Sequence, residues 1–141
     1  MNNHVAVKNE KHIELTPSLE NYLEAIYTLE QAEGKSVRLT DISQQLSVTK
    51  TSVNRAICSL KQYGLVHHEH YGTVSLTSKG KRYAQSIYRS HVIIRTFLIK
   101  LLDVDPDTAD REACMMEHFL CASTIDKWEL FIDGSCKCAL A

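Results

Sequence analysis

The stretch Thr40-Asp-Ile-Ser-Gln-Gln-Leu-Ser-Val-Thr-Lys-Thr-Ser-Val-Asn-Arg-Ala-Ile-Cys-Ser-Leu-Lys-Gln-Tyr-Gly-Leu-Val66 decides the fold. Thr40 and Asp41 offer a helix start, and Ile42 and Leu46 form the inner face of a short helix ending near Leu46. Ser47-Val48 make a tight turn. Thr49 caps a second helix on which Val53, Ala56, Ile57 and Leu60 recur at helical spacing, and Gly64 stops it. Two short helices joined by such a turn read as a helix-turn-helix. Leu65 to His70, a turn at Tyr71-Gly72, and Thr73 to Leu76 predict a β-hairpin, the wing of a winged helix.

Outward from this unit the pattern is helical. Upstream, Thr16-Pro17 pairs an N-cap hydroxyl with proline at the first helical position, and Leu19, Leu23, Ile26, Tyr27 and Leu29 follow at helical spacing. Residues 1–15 read as a flexible, polar tail with no signal-peptide core. Downstream, Thr77-Ser-Lys-Gly80 leads into a long helix to about Leu102, with Tyr83, Ile87, His91, Ile94 and Leu98 on one stripe. Asp105-Pro106-Asp107 opens a helix over about 107–121, another runs from near Ser123 to Phe131, and a tail begins at Gly134.

Charge is distributed unevenly. The chain of 141 residues carries 16 Lys plus Arg and 17 Asp plus Glu, for a net charge of −1. Between Lys35 and Lys100, however, 11 bases face only two acids, Asp41 and Glu69. A basic middle is the footprint of a polyanion partner, and acidic flanks suit divalent cations. No apolar run is long enough for a bilayer, and five cysteines without a spaced framework suit thiols or ligands, so a cytoplasmic chain is expected.

In a helix-turn-helix the second helix lies in the major groove with its N-terminal residues at base edges. Those residues are Thr49, Lys50, Thr51, Ser52, Asn54 and Arg55. Asn54 can pair with adenine, and Arg55 can grip guanine or a phosphate. Lys61 and Lys79, with Lys81 and Arg82, are placed to track the backbone, which supplies affinity without sequence information. His67, His68 and His70 on the wing read as polar, solvent-facing residues rather than as a metal site.

The second informative group is Cys114, Glu117 and His118. Spacings of three and four stack a thiol, a carboxylate and an imidazole on one helical turn, a partial chelate for a divalent transition metal. First-row ions want four to six donors, so others must come from other helices. His91 on its apolar stripe, and Asn21 and Glu24 beside the apolar face of the first helix, are candidates, each weak by itself.

Thr16-Pro-Ser-Leu-Glu-Asn-Tyr-Leu-Glu-Ala-Ile-Tyr27, Leu76-Thr-Ser-Lys-Gly80, His91 and Glu112-Ala-Cys-Met-Met-Glu-His118 together resemble the diphtheria-toxin-repressor family of metalloregulators, which includes iron-dependent repressors and manganese transport regulators. The resemblance runs from about Leu15 to Phe131, in the short form without an SH3-like domain. It implies a mainly α protein. A winged helix-turn-helix DNA-binding domain is expected over 16–78, and a helical dimerisation and metal-sensing domain over 79–133, between tails at 1–15 and 134–141. It implies a homodimer that binds a palindromic double-stranded operator when loaded with Fe(II) or Mn(II), and that represses metal-homeostasis genes without catalysis, membrane attachment or a small organic substrate. By motif, the metal-binding positions are Asn21, Glu24, His91, Cys114, Glu117 and His118.

The chain departs from the pattern in places. Asn21 stands where manganese-type members carry Asp and iron-type members Met, and Cys114 stands where manganese types carry Glu. A thiolate favours Fe(II), or Co(II) and Zn(II) in vitro, whereas Glu24 favours Mn(II). Arg95, one turn past His91, puts a permanent cation where iron types offer a carboxylate to a second ion, though Asp110 partly compensates, so one dominant site per protomer is expected. The alternative is a metal-independent winged-helix repressor whose site has decayed. A further reading makes Cys114 a reactive thiol with His118 as its base. Cys138-Ala-Leu-Ala141 matches a prenylation pattern and reads as coincidence, and Cys136 and Cys138 read as part of a loose tail.

Overall fold

The computed structural model describes residues 13–34, 36–68 and 72–138. Six helices and three short strands follow in the order α1 (Pro17–Glu33), β1 (Val37–Arg38), α2 (Leu39–Leu46), α3 (Lys50–Gln62), β2 (Val66–His68), β3 (Thr73–Leu76), α4 (Ser78–Leu102), α5 (Pro106–Met116) and α6 (Ala122–Cys138). The fold is therefore mainly α, with a small antiparallel sheet in the order β1-β3-β2.

Local chemistry sets the boundaries. The Thr16 hydroxyl accepts the Leu19 amide at the start of α1, and Gly34, at φ 68°, closes it. Thr49, Thr77 and Asp105 cap α3, α4 and α5 in the same way, through the amides of Ser52, Gly80 and Thr108. Ser47, in the left-handed region at φ 53°, makes the turn between α2 and α3. The hairpin pairs Val66 with Leu76 and His68 with Val74. Of its turn, only Gly72 lies within the described residues, as His70 and Tyr71 do not.

Two apolar cores share α4. The first holds Leu23, Ile26, Ile42, Val53, Ile57, Leu60, Leu65, Val74, Ala84 and Ile87. The second holds Ile94, Leu98, Ala109, Ala113 and Ile125, with Trp128 stacked on Phe97 at a centroid distance of 5.0 Å. His91 falls between them, after Ile87 and before Ile93. The junction between wing and shaft is tight. The Thr77 hydroxyl donates to Gly64 O at 2.7 Å while its amide donates to Leu65 O at 3.0 Å. Gly80 lies against the Leu65 backbone, where a Cβ would overlap the carbonyl oxygen.

Several sequence expectations need correction. Residues 13–15 are not tail: Leu15 is buried and Ile13 packs on the first core, because two apolar side chains there cover its open edge. Residues 1–12 lie outside the described residues. Strand β1 was not expected; two residues carry no periodicity, yet Val37 is fully buried and pairs with Val74. Helix α5 ends at Met116, not near residue 121, because the Phe119 amide closes on Met116 O at 3.1 Å and tightens the last turn. Helix α6 continues through Cys138 instead of ending at Phe131, since Ile132 extends the stripe of Ile125 and Trp128 into the core. One glycine, Gly134, costs such a helix only about 1 kcal/mol. Among the described residues no helix is long and apolar enough to cross a membrane.

Candidate metal centre

The residues singled out for metal converge at the seam between the two cores. Asn21 and Glu24 come from α1, His91 from the middle of α4, Cys114 from α5, Glu117 from its C-cap, and His118 from just beyond. Cys114 and Glu117 share a helical face as their spacing predicts, but His118 has left the helix and turns sideways to α1. His91 Nδ1 donates to Glu117 Oε2 at 2.8 Å and lies 3.6 Å from Cys114 Sγ. His118 Nε2 meets Asn21 Oδ1 at 2.8 Å and faces Glu117 Oε1 at 3.4 Å. A carboxylate oxygen of Glu24 lies within 4.8 Å of donor atoms of both His91 and Glu117. All six residues thus form one continuous cluster.

Two sets of donors are close enough to share an ion. The donor atoms of Glu24, His91 and Glu117 lie within 4.8 Å of one another, and so do those of His91, Asp110 and Cys114. The second set is compromised by a neighbour: Arg95 Nε lies 3.2 Å from Asp110 Oδ1, which also accepts from His91 Nε2 at 3.0 Å.

The electrostatics suit a divalent cation. Glu117 Oε1 is buried without a hydrogen bond among the described residues, a costly state for a carboxylate oxygen. Burial, then Glu117 beside it, pushes the Glu24 carboxyl up to about 8. The Glu117 hydrogen bond, opposed by burial and helped by Asp110, lifts His91 to about 9. Burial and the surrounding carboxylates raise the Cys114 thiol to about 11. The Glu20 hydrogen bond raises His118 as well. Protons hold together a set of groups whose deprotonated forms are metal ligands.

Cys114 does not have the surroundings of an activated nucleophile. Its thiol is driven away from thiolate, and the ring nitrogens of His118 face Glu20 and Asn21 instead of the sulfur.

Sequence reading missed Glu20, whose Oε2 accepts from His118 Nδ1 at 3.1 Å. Its neighbour Asn21 drew attention through a motif, whereas nothing in the spacing of Glu20 points to residue 118.

The residues expected to meet DNA lie on and around α3. Lys50, Thr51, Ser52, Asn54 and Arg55 are exposed along the start of α3, and Lys61 is exposed at its end. Thr49 is exposed too, but its hydroxyl is committed to the Ser52 amide as the helix cap. Lys79 Nζ reaches Tyr63 O at 3.4 Å. His67 and His68 are exposed on β2. On the other side, Phe119 (76% exposed), Leu130 (71%), Phe131, Met115 and Tyr88 leave large apolar side chains uncovered.

Comparison with known proteins agrees with both halves. Residues 14–74 match the iron dependent repressor N-terminal DNA binding domain, and residues 77–138 match the iron dependent repressor metal binding and dimerisation domain. An uncharacterized HTH-type transcriptional regulator of Methanocaldococcus jannaschii is 30% identical over 119 residues, covering 84% of this chain and 95% of that protein. The HTH-type transcriptional regulator MntR of Geobacillus kaustophilus is 33% identical over 112 residues, covering 79% of this chain and 78% of that protein. A manganese-dependent transcriptional repressor solved in complex with manganese superposes with a TM-score of 0.75 at 26% identity, covering 82% of this chain and 52% of that one. The present chain therefore spans about half the length of that solved relative.

Proposed function

The chain belongs to the iron-dependent repressor family of metal-dependent transcriptional regulators, and we propose that it is a cytoplasmic repressor of metal-homeostasis genes, activated for binding to a palindromic operator by Fe(II) or Mn(II). Residues 16–78 read the DNA, and residues 79–133 sense the metal and join the two copies. The observation that carries the proposal is the convergence of Asn21 and Glu24 from the reading half with His91, Cys114, Glu117 and His118 from the other.

A divalent ion among these donors would supply the positive charge that the clustered carboxylates lack. Glu117, central and buried, is the residue that both halves of the cluster meet. Asn21 offers a neutral oxygen and Cys114 a sulfur, a mixture that draws Fe(II), and in vitro Co(II) or Zn(II), against the pull of Glu24 towards Mn(II). The Arg95–Asp110 pair places a fixed cation beside the outer donors, which supports one ion per protomer.

The cluster ties α1, whose inner face is built into the first core, to α4 and α5 of the second. An ion that grips the operator-competent arrangement more tightly shifts the population towards it, and DNA reciprocally tightens the ion. Two reading heads held in this way present their α3 helices to successive major grooves. The uncovered apolar residues Phe119, Leu130 and Phe131 support self-association through the C-terminal helices.

Operator binding with and without Fe(II) or Mn(II), at fixed ionic strength, is the test. Metal should tighten it by at least tenfold. Equal affinity in both arms would favour a metal-independent repressor with a decayed site, the reading to which Asn21 and Arg95 lend support.

A further inference from the structure

His118 presents two ring nitrogens to its surroundings, and the structure treats them differently. Nδ1 lies 3.1 Å from Glu20 Oε2, and Nε2 lies 2.8 Å from Asn21 Oδ1 and 3.4 Å from Glu117 Oε1. The pair is well shielded, since the His118 and Glu20 side chains are 4% and 12% exposed. Glu20 is itself held: the Tyr83 hydroxyl donates to its Oε1 at 3.4 Å. A chain of three side chains, from α4 through α1 to the segment after α5, therefore ends on one face of one imidazole.

A carboxylate can only accept, so Nδ1 must carry hydrogen to satisfy Glu20. Nε2 carries the ring's other hydrogen, towards Asn21 Oδ1, and is the nitrogen that would give it up to present a lone pair to an ion. Both oxygens of Glu20 are already engaged, which casts it as an orienting group and not as a donor to the ion. We infer that Glu20 is a positioning residue for the metal centre: it fixes the tautomer and ring angle of His118, and Tyr83 in turn fixes Glu20. Outer-shell carboxylates of this kind orient a ligating histidine and raise its basicity. The inference rests on the proposal that the cluster binds metal.

The test uses the full chain and Zn(II), whose closed shell permits nuclear magnetic resonance. In the Zn(II)-loaded wild type the His118 ring should show a slowly exchanging Nδ1–H resonance. Glu20→Ala should lose that resonance to solvent exchange and bind Zn(II) about 10- to 100-fold more weakly. Glu20→Gln, which still accepts, should keep the resonance and lose about 3- to 10-fold in affinity. Persistence of the resonance in Glu20→Ala, or Zn(II) affinity within threefold of wild type, would overturn the inference. If the alanine variant does not fold, Glu20→Gln decides, and an affinity equal to wild type overturns it. A wild-type chain that takes up neither Zn(II) nor Mn(II) would sink the metal reading itself. Wild-type uptake matched by the Glu20 variants would sink only the role given to Glu20.

Discussion

Asn21 and His118, separated by 97 positions in the sequence, meet at 2.8 Å across the seam between the two cores. The contact joins the first helix of the reading half to the segment that follows α5, and it does so with a neutral amide. An anionic oxygen at position 21 would attract a hard cation more strongly. Asn21→Asp should therefore tighten Mn(II) binding by about 1 kcal/mol, roughly fivefold. Calorimetric titration of the apo chain reads this directly, and weaker binding would show that residue 21 does not face the ion.

Proton competition would give metal binding at this cluster a pH dependence of definite sign. The Glu24 carboxyl, raised from 4.5 to about 8, and His91, raised from 6.5 to about 9, must release protons before they can act as ligands. Apparent Mn(II) affinity should rise steadily between pH 6.5 and 9.

The apo protein should show the opposite trend. Both groups have folded-state pKa values above their unfolded ones, so their contribution to stability is complete below the unfolded values. It is lost as the pH climbs through about 8 for Glu24 and about 9 for His91. Thermal unfolding of apo protein should shift to lower temperature from pH 6.5 to 9, and an apo midpoint that rises over this interval would contradict the assignment.

Arg95 is expected to limit the number of ions. Its Nε lies 3.2 Å from Asp110 Oδ1, beside the outer set of His91, Asp110 and Cys114. Arg95→Glu replaces a cation with a carboxylate, and should raise the number of bound Mn(II) ions per protomer from one towards two. Native mass spectrometry counts the ions, and an unchanged count would show that the outer set is closed for another reason.

Arg55, exposed on α3, should act on DNA alone. Arg55→Ala is expected to weaken operator binding by about 1–3 kcal/mol, and to leave Mn(II) affinity unaltered. Should the contact be to a phosphate, the salt dependence of log K should also flatten by about one unit of slope. Loss of metal binding in this variant would place Arg55 in the fold and not at the DNA.

The reading half was legible because turn chemistry is local. Thr16, Thr49 and Gly64 announce their caps and turns within a few residues, and Val53, Ala56, Ile57 and Leu60 show their inner face by spacing alone. Cys114 and Glu117 were visible for the same reason. Asn21, Glu24 and His91 were weak candidates until set against a family pattern, since their significance lies in where α1 and α4 cross. Glu20 was invisible: its role depends on His118, 98 positions away, leaving its helix and turning inward. Residues 13–15 and the end of α6 were misjudged because Ile13, Leu15 and Ile132 complete cores assembled from distant segments. The two-residue strand β1 is too short to carry any pattern of its own.

The welded joint at Thr77 and Gly80 has a mechanical consequence. With hydroxyl and amide of Thr77 both bolted to the α3–β2 corner and Gly80 flush against Leu65, there is no room for a swivel where the wing meets the shaft. Gly80→Ala should jam this fitting. In the intact chain the first stretch of α4 must travel with the reading head as a single lever arm. Any flexure between the halves is then expected around His91, where the two apolar cores part and a chelated ion would act as a brace.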